Sequence, residues 1–224
     1  MENQDFYRNN VSSKGQVKNT WVTFGGDPSA STRVLFVGNS ITRHAIAPNI
    51  GWLRDCGMAA TCLENDYVHR TVAGLEKRYG LVSFCIAQLA DWERDFENPA
   101  VLETFSEARD FCADIVIIRI GENVSRTVTD PAPLADAFEK MIRYFAVRPD
   151  CRVLVTDLFW SRTVVDSAIA QAQNRIAGCI PVHIGDLGAD DSMKAIGEYE
   201  HQGVSLHPSD RGMLCIAERL LEKL

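Results

Sequence analysis

The sequence predicts a three-layer α/β/α sandwich built on a five-stranded parallel sheet of order 2-1-3-4-5. Three observations carry that expectation. Five short apolar runs recur along the chain and are continuous rather than alternating, as strands covered on both faces must be. Helical stretches lie between these runs, so strand and helix alternate. The 224 residues are 46% hydrophobic and 24% charged, an ordinary composition for one globular domain with a sizeable core.

Residues 1–30 are polar and rich in Asn, Ser and Gly, and read as an N-terminal extension to a domain over 31–224. Within them "WVTFGG" is the part expected to pack. "RVLFVG" (33–38) is the first strand, ended by Gly38. "NDYVHRTVAGLEKRY" (65–79) is a helix leading into the second strand, "GLVSFCIA" (80–87). "ADIVIIRIG" (113–121) is the third strand. "PLADAFEKMIRYFAV" (133–147) starts with proline and repeats apolar residues at three- and four-residue steps, both helical signs. "RVLVTDLF" (152–159) is the fourth strand. "VVDSAIAQAQNRIAG" (164–178) is a helix with a glycine stop. "IPVHIGDL" (180–187) is the fifth strand, and "DRGMLCIAERLLEKL" (210–224) is the closing helix. Right-handed crossovers between parallel strands then give the doubly wound arrangement. No internal repeat is visible.

The bulk numbers exclude several classes of function. A net charge of −7 repels phosphate backbones and anionic lipid surfaces, so neither nucleic acid nor membrane is an expected partner. No run approaches the ~18 to 20 apolar residues of a membrane span. "MENQDFYRNNVSSKGQ" lacks the basic start and apolar stretch of a signal peptide, and a soluble cytoplasmic protein is the expectation. The seven cysteines are odd in number and without C-x-x-C spacing, which argues against a disulfide framework or zinc site and for small core residues. There is no G-x-x-x-x-G-K-[ST] and no H-E-x-x-H, and "FGGDPSAS" precedes the first strand instead of following it. No cofactor or metal is implied.

Sites in such sheets form outside the carboxyl ends of the strands. Gly38 ends the first run and Ser40 stands two residues on; Gly121 ends the third, and Asn123 stands two residues on. In the order 2-1-3-4-5 these two strands are neighbours. His207, braced by Pro208, arrives just before the last helix. Taken singly, Ser40 is a turn or cap residue, Asn123 a loop residue and His207 a surface histidine. Together they match acyl transfer: a weak hydroxyl nucleophile, an imidazole base that titrates in a useful range, and backbone and amide donors for an oxyanion.

"VLFVGNSIT", "IRIGENV" and "LHPSDRGM" resemble, in order, three sequence blocks of the SGNH (GDSL-type) hydrolases, serine esterases of flavodoxin-like fold. The resemblance runs from about Arg33 to the C-terminus. It implies Ser40 as nucleophile and oxyanion donor, Asn123 as oxyanion donor and His207 as general base. Two departures stand out. The family's acid lies three residues before the histidine, where this chain has Val204; Glu198, Glu200 or a backbone carbonyl are the substitutes, giving a rearranged triad or a Ser-His dyad. The family's second-block glycine has no counterpart in "SFCIAQLADW", leaving Ala87, Gln88, Ala90 or Gly57 to supply that N–H. The expected function is hydrolysis of a small acyl ester, with O-acetyl groups on carbohydrate as the substrate the family commonly uses. The alternative is a non-catalytic carbohydrate- or acyl-binding module.

Other residues carry local expectations. Glu122 is read as solvated or paired with Arg126, with lining the pocket as the alternative. Arg119, inside an apolar strand, needs a partner or the strand's edge. His44 and His69 show no acidic partner pattern, and His183 reads as a hydrogen-bonded core histidine of the fifth strand. Trp52 and Trp92 suit core or pocket wall; Trp160, beyond the fourth strand, is better placed to flank a substrate as a stacking surface for a sugar, with core packing as the equal alternative.

Overall fold

The computed structural model describes residues 20–224. Of the expected N-terminal extension, residues 1–19 lie outside the described residues. Thr20–Gly26 forms a strand, β1, so this part of the stretch read as extension belongs to the sheet. The chain continues through β2 (Thr32–Gly38), α1 (Tyr67–Tyr79), β3 (Val82–Leu89) and three short helices, α2 (Ala90–Arg94), α3 (Ala100–Glu103) and α4 (Ser106–Asp110). Then come β4 (Ile115–Arg119), α5 (Pro131–Phe145), β5 (Arg152–Thr156), α6 (Thr163–Asn174) and β6 (Ile180–Val182). Two short helices, α7 (Gly185–Ala189) and α8 (Gln202–Ser205), lead to α9 (Asp210–Lys223).

The sheet order is β1-β3-β2-β4-β5-β6. From β3 to β6 all pairs are parallel, which is the expected 2-1-3-4-5. β1 is an additional sixth strand, antiparallel to β3, with Thr20 opposite Leu89 and Gly26 opposite Ser83. Its two glycines and polar flanks hid it from a reading based on apolar runs.

The buried runs split cleanly by the two-residue period of a strand. Val34 and Phe36 of β2 join Ile115, Ile117 and Leu154 in a core shared with α1 and α9. Leu35 and Val37 join Val116, Ile118, Val153 and Val155 in a second core, shared with α5 and α6. The helix starts are chemically marked. Asp66 accepts the His69 N–H at 2.8 Å before α1, and Asp130 accepts the Ala132 N–H at 2.9 Å before α5, which opens on Pro131.

Three local expectations change. α6 stops at Asn174, ahead of Gly178. The fifth parallel strand is only three residues long, because Asp157 accepts the Ile184 N–H at 2.6 Å and the Gly185 N–H at 3.1 Å and draws the chain into α7. His183 therefore lies just past the strand end, largely exposed and bonded through Nδ1 to Asp157, rather than in the core. Of the cysteines, Cys56 and Cys85 are buried and the other five are half-buried.

Gly38 ends β2 where the chain has no room for a side chain: a Cβ there would stand 1.8 Å from Thr42 Oγ1 and 2.9 Å from the Arg119 carbonyl oxygen. Gly38→Ala is expected to lower unfolding stability by about 1–3 kcal/mol, the usual cost of overpacking, measured by urea titration.

Candidate active site

The exit from β2 is a tight turn. The Thr42 and Arg43 N–H groups both donate to the Asn39 carbonyl, at 2.9 and 3.0 Å, and the Met58 N–H donates to the Ser40 carbonyl at 2.9 Å. Ser40 is thereby held half-exposed at the rim, and its own N–H has no acceptor among the described residues. His207 reaches the same rim from the segment between α8 and α9. Ser40 Oγ lies 2.8 Å from His207 Nε2. On the ring's other side His207 Nδ1 donates to the Gly203 carbonyl oxygen at 2.6 Å. A carbonyl only accepts, so the proton of the neutral imidazole sits on Nδ1 and the Nε2 lone pair faces the Ser40 hydroxyl. Trp160 closes one side, its ring 5.0 Å from the imidazole and edge-on to it. Burial holds the His207 pKa well below its ordinary value, against the pull of the Gly203 carbonyl.

Beneath this rim lies a charged network shut away from water. Arg119, the last residue of β4, is fully buried, as is Glu93 of α2. Arg119 donates from Nη1 to Glu122 Oε1 at 2.6 Å and from Nη2 to Glu122 Oε2 at 3.1 Å; Nη2 also bonds Asn39 Oδ1. The Asn39 amide nitrogen donates both ways, to Glu93 Oε1 at 2.9 Å and to Glu122 Oε2 at 2.7 Å. Only an amide at position 39 can link the two carboxylates; an aspartate there would add a third acceptor to two. Glu93 also accepts the Gly121 N–H at 2.8 Å, the Asn123 N–H at 3.1 Å and the Asn123 side-chain Nδ2 at 2.5 Å. The Phe159 N–H, after β5, donates to Glu122 Oε1 at 3.2 Å.

Burial, reinforced by Glu122, raises the Glu93 pKa against the hydrogen bonds from Asn123 and Asn39. Burial also works to raise Glu122, but the Arg119 guanidinium outweighs it and the carboxyl ends below its usual range. Burial works to lower Arg119, and Glu122 more than offsets it, so the guanidinium stays charged.

Chains of known structure share this architecture. The psychrotrophic esterase EstA from Pseudoalteromonas superposes with a TM-score of 0.55 at 11% identity, over 86% of this chain and 96% of that one. A member of the lipolytic protein G-D-S-L family from Veillonella parvula superposes with a TM-score of 0.54 at 15% identity, over 86% and 97%. The fold is that of the SGNH hydrolases. A Clostridium thermocellum family 3 carbohydrate esterase superposes with a TM-score of 0.50 at 16% identity, over 86% and 94%. No family model matches the sequence, and a search of curated proteins finds no match.

On this SGNH frame the predicted residues fare differently. Ser40 and His207 meet, and Asn123 stands on the adjoining strand-end loop, with one amide hydrogen given to Glu93. The expected acids Glu198 and Glu200 do not orient the histidine. Both are exposed, lining a small cleft with Ile50 and Tyr199, and the Gly203 carbonyl takes the Nδ1 proton instead. The proposed second-block donors are committed elsewhere. Ala87 and Gln88 are buried in β3 with ladders on both sides. The Ala90 N–H donates to Gln88 Oε1 at 3.0 Å, and the Gly57 N–H to Asp66 Oδ2 at 3.2 Å.

Glu122 is a buried partner of Arg119 rather than a solvated residue or a partner of Arg126, because the turn after β4 brings it back onto the desolvated guanidinium three residues earlier. His69 does have an acidic partner, Asp66 at 2.8 Å, one helical turn earlier. Trp52 and Trp92 are fully buried. Glu93 and the Gly203 carbonyl are not marked in the sequence. A charged residue in "ADWERDF" looks solvent-facing, and a peptide oxygen carries no residue-type signal. Cys56 and Cys85 are poor nucleophiles, their thiols pushed up to about 12 by burial. Among the described residues, no group of His, Cys, Asp and Glu is arranged to hold a metal ion, and no helix is long and apolar enough to cross a membrane.

Removing one partner of a buried ion pair strands the other charge. Arg119→Met is expected to cost about 3–5 kcal/mol of unfolding stability, read from denaturant midpoints. In an NMR titration the His207 ring is expected to stay neutral as pH falls through the ordinary imidazole range near 6.5. The folded state binds that proton less readily than the unfolded chain, so this group withdraws stability as pH drops below that range.

Proposed function

We propose that this protein is a serine ester hydrolase acting through a Ser40–His207 dyad oriented by a peptide carbonyl. The observation that carries the reading is the two-sided bonding of His207, 2.8 Å to the Ser40 hydroxyl and 2.6 Å to the Gly203 oxygen. Burial keeps the imidazole unprotonated and ready to accept the hydroxyl proton. Ser40 Oγ attacks the ester carbonyl carbon as its proton passes to Nε2. The oxyanion is met by the free Ser40 N–H and the Asn123 amide. The imidazolium returns its proton to the departing alkoxide, leaving an acyl-serine. A water molecule then gives a proton to Nε2 as it attacks the acyl carbon; the bond to Ser40 Oγ breaks, Nε2 returns that proton to Oγ, and the free acid leaves with Ser40 and neutral His207 restored.

A carbonyl fixes the imidazole tautomer as a carboxylate would, with less stabilisation of the imidazolium charge. Missing acid at Val204 therefore does not by itself favour the binding-module alternative. For the substrate we infer a short acyl ester, with acetyl groups on carbohydrate as the favoured class. Support comes from Trp160 beside His207, a flat apolar surface suited to a sugar ring, and from the likeness to a carbohydrate esterase.

Purified protein is expected to hydrolyse p-nitrophenyl acetate, and Ser40→Ala to reduce kcat at least about 1,000-fold with the fold retained. A fluorophosphonate probe is expected to label Ser40. Equal rates for wild type and Ser40→Ala would defeat the enzyme reading.

A further inference from the structure

We propose that Glu93 is the positioning residue of the oxyanion site. It anchors the Asn123 amide by one Nδ2 hydrogen, so that the other is held at the rim beside Ser40. The proposal rests on the ester-hydrolase reading and adds a residue to it.

Asn123 is exposed, and its loop follows Gly121, whose φ of +135° and crowding against Leu158 suit only glycine. Such an amide needs an anchor to keep one orientation. Among the described residues the only side-chain hydrogen bond of Asn123 is the 2.5 Å bond to Glu93 Oε2. The same carboxylate takes the backbone N–H groups of Gly121 and Asn123, so it fixes the loop and the amide together. It also takes the amide of Asn39, the residue before Ser40, and so ties the nucleophile's turn to the oxyanion loop.

All four contacts to Glu93 are N–H donors. A carboxylate satisfies four donors with two oxygens, whereas a glutamine of the same shape offers one oxygen and an NH2. Facing that NH2, the Asn123 amide would turn its oxygen inward and lose its set at the rim. Glu93 touches no reacting atom; it acts through Asn123.

The test is a double-mutant cycle on p-nitrophenyl acetate hydrolysis with wild type, Glu93→Gln, Asn123→Ala and the double variant. Asn123→Ala is expected to lower kcat about 100-fold, as for loss of one oxyanion donor. Glu93→Gln is expected to lower kcat about 10- to 100-fold, leaving KM within about twofold, because the interaction matters only in the transition state. The double variant is expected to fall no further than Asn123→Ala. A merely structural role would instead multiply the two losses. An unchanged kcat in Glu93→Gln, or multiplicative losses, overturns the proposal. If Glu93→Gln does not fold, Glu93→Asp, which keeps the charge and shortens the reach, is measured in both backgrounds with the same expectations. Fluorophosphonate labelling of Ser40 in each variant verifies the fold at the rim. A wild type that neither turns over the ester nor takes the probe overturns the hydrolase reading and this role with it; a competent wild type with multiplicative losses overturns the Glu93 role alone.

Discussion

Two carboxylates and one guanidinium leave water together beneath the carboxyl ends of β2 and β4, and the architecture of the rim follows from that. A buried charge without partners costs several kcal/mol, and both nitrogens at the tip of the Arg119 guanidinium and all four carboxylate oxygens of Glu93 and Glu122 are drawn into compensation, while Arg119 Nε has no hydrogen-bond partner among the described residues. Glu122 pairs with Arg119, and Asn39 spans Glu122 and Glu93. The strand exits cannot move independently, since Asn39 adjoins Ser40, Gly121 and Asn123 bond Glu93, and Phe159 bonds Glu122. What looks like a surface serine in a loop is seated on a polar core.

The histidine is governed by different physics. Its orienting acceptor is the peptide oxygen of Gly203, four residues back along its own chain. A peptide oxygen does not titrate, so the tautomer of the neutral His207 ring does not depend on the ionisation state of its acceptor. A carboxylate in that place would add charge stabilisation but would surrender it on protonation. The arrangement gives up electrostatic help for constancy.

Much of this was legible in the sequence, and the reasons are particular. The runs at 33–38, 113–121 and 152–159 are buried on both faces and so appear as unbroken apolar text; the parallel pairing of β2 with β4 then puts the strand exits that lead to Ser40 and Asn123 next to each other. His207 was findable through Pro208 and the cap at Ser209, which mark where a helix must begin. β1 was not, because TWVTFGG alternates weakly and ends in two glycines. Glu93 and Glu122 were misread or missed because residue type predicts solvent for a glutamate, and only the three-dimensional meeting with Arg119 and Asn39 overturns that. The orienting group of His207 is backbone, which every residue possesses and none advertises.

The antiparallel pairing of β1 has a consequence for how the chain assembles. β3 is buried along all of its eight residues, and one of its two neighbours is β1. The partners of that ladder, such as Thr23 and Ile86, are about sixty residues apart, so closing it costs more loop entropy than the local contacts of α1 with β3. Until β1 covers it, that side of β3 carries unpaired N–H and C=O groups, a template on which another chain can pair.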